Sequence, residues 1–110
     1  MIDHTAIENA FEMLRVRLDA YQRAAADYQT QKDNLAFQIA TATMDETING
    51  KNAEIREAQA RQLFGKEFES LDNITHEMKD CEYAVNLSKI DIDHIKTRLR
   101  LAEVLMRTGI

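Results

Sequence analysis

Apolar side chains recur along the first half of the chain at alternating steps of four and three. The row runs Ile7, Phe11, Leu14, Leu18, Tyr21, Ala25 and Tyr28, passes through Lys32, and continues with Leu35, Ile39 and Ala42. A second row steps by three and four from Leu71 through Ile74, Met78, Cys81, Val85, Ser88, Ile92, Ile95, Leu99 and Ala102 to Met106. Both have the 3.5-residue period of a heptad seam, which winds two helices around each other with a left-handed twist. Only Lys32 and Ser88 are polar, and single polar seam residues are known to set register. Lys32 also has an aliphatic stem long enough to reach solvent.

Between the rows lies Thr47-Ile48-Asn49-Gly50-Lys51-Asn52. Asn-Gly suits a left-handed residue ending a helix. Asn52 suits an N-cap, with Glu54 in the first turn against the helix dipole. The pattern predicts an all-α chain: a helix over about 4–47, a turn at about 48–51 and a helix over about 52–107. Together they make one antiparallel helical-hairpin domain spanning 1–110. Gly65 costs about 1 kcal/mol in a helix interior, and the helix is expected to run through it.

The arms are unequal, about 66 and 84 Å at 1.5 Å per residue. Folding about residue 49 or 50 sets Phe11 near residue 88 and leaves the chain beyond about 95 without an intramolecular partner. That overhang is nonetheless apolar, with Ile95, Leu99 and Leu105, and a second stripe of Tyr83, Leu87, Ile90, Leu101 and Val104 lies on the opposite side of the helix. Met13, Val16 and Ala20 form a matching partial stripe near the start of the first helix. A helix apolar on two faces is buried on two faces. The expectation is therefore a homodimer or higher oligomer, joined through the open ends of the hairpins into a helical bundle.

Composition agrees. The 110 residues include no proline and three glycines, too few turn residues for a sandwich, a barrel or a doubly wound sheet. A hydrophobic fraction of 45% with a net charge of -5 argues against disorder. The single Cys81 forms no internal disulfide, and neither a signal peptide nor a membrane span is apparent, which predicts a cytoplasmic protein with no membrane partner.

Candidate chemistry is sparse. His76, Glu77, Asp80 and Cys81 are spaced to share helix faces, but a soft-metal site needs more Cys or His, and Cys81 falls on the seam as a buried thiol. Asp91 and His94 are neighbours at i, i+3 without a pocket or a third orienting group, and His94 lies in register with the second stripe. No phosphate loop, zinc helix or nucleophile elbow occurs. No catalytic, cofactor or metal site is predicted. Lys96, Arg98, Arg100 and Arg107 make the C-terminal segment basic; they suit phosphates, the helix C-terminus, or acids such as Asp3, Glu8 and Glu12 on another chain. Lys51, Arg56, Arg61 and Lys66 interleave with acids as a solvated face.

The segment Ile48-Asn-Gly-Lys-Asn-Ala-Glu-Ile-Arg-Glu-Ala-Gln59 resembles small helical proteins of bacteriophages and prophages, in which a Gly-Lys-Asn-x-x-x-Arg-x-Ala stretch joins two long helices. The layout is also similar to UvsY-type recombination mediators of T-even bacteriophages. The resemblance implies a bacterial host and a helper role near single-stranded DNA; it carries over no functional residue. The leading expectation is a non-enzymatic oligomeric scaffold acting on a protein partner. The alternatives are a single-stranded DNA accessory protein using Lys96, Arg98, Arg100 and Arg107, and an acidic DNA mimic using Glu67, Glu69, Asp72, Glu77, Asp80 and Glu82.

Overall fold

The computed structural model describes residues 3–109. It is all-α: α1 spans His4–Met44, α2 Ala53–Leu63 and α3 Gly65–Arg107. The chain divides into two compact units. The terminal unit combines the described residues up to Gln22 with those from Lys79 onward, and the turn unit runs from Arg23 to Met78.

In the turn unit the two arms run antiparallel around a small cluster of Ala42, Ile48 and Ala60, with Ile39, Phe64 and Phe68 packed against it. The first helix ends at Met44, three residues before the expected boundary. Its last carbonyls are closed by the chain that follows: the Asp45 amide donates to Thr41 O at 3.0 Å and the Ile48 amide to Ala42 O at 3.0 Å. The left-handed residue is Glu46, at φ 64°, not the Asn-Gly pair. Gly50 is needed for a different reason. A Cβ there would lie 2.6 Å from Ile55 Cγ2 and 3.0 Å from the Arg56 amide nitrogen.

Asn52 caps α2 as expected, its side chain accepting from the Ile55 amide at 2.9 Å. The second arm is interrupted. Phe64 takes φ -116° and ψ 36°, although the Phe64 amide still donates to Ala60 O and the Phe68 amide to Phe64 O. The break falls where two phenylalanines four apart pack against the same cluster, beside the glycine that a helix interior tolerates poorly.

The seams differ from the predicted rows in one systematic way. On α1, Ile7, Leu14, Tyr21, Tyr28, Leu35 and Ala42 face inward as expected. In the layers between them, Ala10, Arg17 and Gln31 face inward while Phe11, Leu18 and Lys32 are exposed. Each polar newcomer meets a serine. Arg17 Nη1 donates to Ser88 Oγ at 2.8 Å in the terminal unit, and Ser70 Oγ donates to Gln31 Oε1 at 2.9 Å in the turn unit. Arg17, six residues beyond Phe11, is thus the residue across from Ser88. Lys32 does not break the seam because it stands outside it, its ammonium 5.8 Å from the centre of the Tyr28 ring.

Candidate interaction surface

The two units hold similar numbers of residues but distribute apolar surface very differently. Of the sixteen exposed large hydrophobic side chains among the described residues, twelve belong to the terminal unit. Of the five buried large ones among the described residues, Leu35, Ile48, Ile74, Val85 and Ile92, only Val85 and Ile92 do.

The predicted interface residues are almost all on that surface. Tyr83, Ile90 and Leu101 are about two-thirds exposed, at 66%, 63% and 59%. Leu87, Leu99, Val104 and Leu105 are exposed on the same helix, and Met13 and Val16 on α1. Ile95 is the exception. It continues the inward row of Val85, Ser88 and Ile92 and is half-buried within its own chain. Every described residue after Ile95 is exposed, so the seam ends there as the unequal arms require.

The four basic candidates separate. Arg107 is tied down by Glu103, with Nη2 2.9 Å from Oε1. Lys96, Arg98 and Arg100 are exposed and make no side-chain hydrogen bond or ion pair among the described residues, and the same holds for Asp91 and Asp93 nearby. At the other end of α1, Asp3 caps the helix, its Oδ1 accepting from the Ala6 amide at 2.7 Å. Glu8 lies 3.0 Å from His4, and Glu12 2.8 Å from Arg15, whose guanidinium that carboxylate holds above its ordinary pKa. Ile7, Glu8, Phe11, Glu12 and Arg15 border an open hollow of about 560 Å³.

No group of three or more His, Cys, Asp or Glu able to hold a metal ion occurs among the described residues. Cys81 is half-buried on the seam. Asp91 and His94 both face solvent.

Sequence reasoning missed the residues that build the turn. Gln59 Oε1 accepts from the amides of Asn49 at 3.1 Å and Gly50 at 2.9 Å, while its Nε2 donates to Asn49 Oδ1. Arg56 Nη1 donates to Gly50 O at 3.1 Å. Within the segment 48–59 the sequence singles out Gly50, the Asn52 cap and Glu54 in the first turn. The segment is instead a closed hydrogen-bond network, and Ile55 remains 45% exposed. The available signal was the spacing of Asn49, Arg56 and Gln59, which puts two polar side chains of the first turns of α2 back over the loop. Beside this turn, Phe37, Thr41, Leu63 and Phe64 border a second hollow of about 350 Å³.

No protein-family model, curated protein or solved structure matches the chain. Among the described residues no helix is long and apolar enough to cross a membrane.

Proposed function

We propose that this is a non-enzymatic helical scaffold that associates with copies of itself through the terminal unit and presents its remaining charged faces to a protein partner. The observation that carries this reading is the inverted distribution of apolar surface: the terminal unit buries two large hydrophobics and exposes twelve. Exposed apolar side chains gathered on one unit mark interaction sites. The resemblance of residues 48–59 to phage helical-hairpin proteins supports a bacteriophage setting in the cytoplasm of a bacterial host, and the turn network gives that motif a structural reason. Light scattering coupled to size exclusion tests the reading: a mass of two or more chains at micromolar concentration supports it, and a mass of one chain refutes it.

A second reading has its own observation. Lys96, Arg98 and Arg100 are exposed and without an acidic partner among the described residues, which suits an accessory protein on single-stranded DNA. Such binding would weaken steeply with added salt. Absence of binding at low salt removes it.

A further inference from the structure

Besides its buried seam, α3 carries a second stripe that is exposed. Its positions are 83, 87, 90, 94, 97, 101, 104 and 108, stepping by four and three, and the series reads the same from either end about a point between Ile95 and Lys96. Every one of these residues is exposed in the structure. The inward row of Val85, Ser88 and Ile92 lies on the other side of the helix, so the stripe is uncovered along its whole length.

We infer that α3 pairs antiparallel with α3 of a second copy about a two-fold axis between Ile95 and Lys96. This deepens the scaffold reading and rests on it, by naming which surface meets which. Antiparallel pairing about that point sets Leu87 against Val104 of the second copy and Ile90 against Leu101 of the second copy. His94 meets Thr97 of the second copy in the central layer, where a polar pair among apolar layers fixes register. The two-fold axis repeats each contact.

Charge complementarity selects a second copy as the occupant. Asp91 and Arg98 flank one edge of the stripe, one residue after Ile90 and Thr97; Asp93 and Arg100 flank the other, one residue before His94 and Leu101. An antiparallel two-fold brings like edges together. Asp91 then faces Arg98 of the second copy, Asp93 faces Arg100 of the second copy, and symmetry gives four opposite-charge pairs. None of these four side chains has a hydrogen bond or ion pair among the described residues. A parallel pairing would instead join unlike edges and leave Asp93 with Arg98 of the second copy as the one kind of opposite-charge pair, so the charges favour the antiparallel arrangement. Met13 and Val16 lie outside this contact.

The test uses two full-length variants. Arg98→Glu with Arg100→Glu makes both edges acidic, and Asp91→Lys with Asp93→Lys makes both edges basic. All four positions are exposed, and circular dichroism verifies that each variant keeps its helix content. Each variant alone is expected to self-associate at least about tenfold more weakly than wild type, while an equimolar mixture regains wild-type association as a mixed dimer, the interaction being electrostatic and salt-sensitive. An oligomeric wild type whose variants associate equally well alone, or whose mixture fails to associate, overturns the α3 pairing and leaves the scaffold reading standing. A monomeric wild type overturns both. A monomeric wild type that binds a labelled oligothymidine in low salt, with binding lost in the Arg98→Glu, Arg100→Glu variant, assigns the basic edge to nucleic acid instead.

Discussion

Arg17 donates to Ser88 from across the terminal unit, Nη1 to Oγ at 2.8 Å, and the same nitrogen reaches the Ala84 carbonyl at 3.3 Å. Ser88 is the most deeply buried polar residue of the described chain, at 2% exposure. A cation and a hydroxyl therefore occupy a layer that a heptad seam ordinarily fills with leucine. Ser88→Ala removes one of the two acceptors of that nitrogen and is expected to cost about 1–2 kcal/mol, since hydrogen bonds to charged groups exceed neutral ones. Arg17→Leu combined with Ser88→Ala is expected to recover that loss, because replacing both partners by apolar groups is nearly neutral. Urea denaturation of the two variants reads the difference; equal destabilisation would show that the bond carries no weight.

The two mid-chain glycines behave oppositely. Gly50→Ala drives a methyl into Ile55 and the Arg56 backbone, and is expected to destabilise by about 1–3 kcal/mol, the range of overpacking. Gly65 has open space around its Cβ position and no left-handed backbone. Gly65→Ala is expected to stabilise by about 0.5 kcal/mol through the unfolded chain's lost freedom. Thermal melts of the pair, shifting in opposite directions, check this.

Gln59 is the side chain that closes the loop on α2. Gln59→Ala leaves the amides of Asn49 and Gly50 without their acceptor and is expected to cost about 1–2 kcal/mol. Gln59→Glu keeps the acceptor and loses only the donor to Asn49, so its loss is smaller. Amide hydrogen exchange at Asn49 and Gly50 reports the same order: fastest in the alanine variant, intermediate in the glutamate variant.

Asp45 accepts from the Thr47 hydroxyl at 2.6 Å and from the Thr47 amide at 3.0 Å, and these bonds hold its carboxyl below the ordinary range. A carboxyl depressed in the folded state stabilises the fold above its unfolded pKa, about 3.9 for Asp, and that contribution disappears as pH falls through the lower folded value. Asp45→Asn is therefore expected to flatten part of the acid limb of a stability-against-pH curve and leave its neutral slope unchanged. An unchanged acid limb would contradict the assignment.

Half of the α1 seam was legible because positions seven apart, such as Ile7, Leu14, Tyr21, Tyr28, Leu35 and Ala42, must share a face in any heptad pairing. The layers between them were not. A helix of 3.6 residues per turn presents either of two adjacent residues there, and apolarity favoured Phe11, Leu18 and Ala25. The structure instead buries Ala24 and turns Arg17 and Gln31 toward serines about forty to seventy residues away, a choice that no local pattern contains. The turn shows the same limit. Gly50 stood out by composition, yet its role depends on where Ile55 returns, and the left-handed residue fell to Glu46, which carries no signal for it. The second stripe was readable along α3 because each of its positions follows from helical spacing alone.

The terminal unit is turned inside out: it shelters a guanidinium and a hydroxyl and offers its oil to the water. On the proposed pairing, such a unit draws part of its resistance to unfolding from protein concentration. Its melting point then rises as the protein is concentrated, and because a two-fold uses the same stripe on both copies, that contact closes on itself at two chains and does not propagate into a fibre.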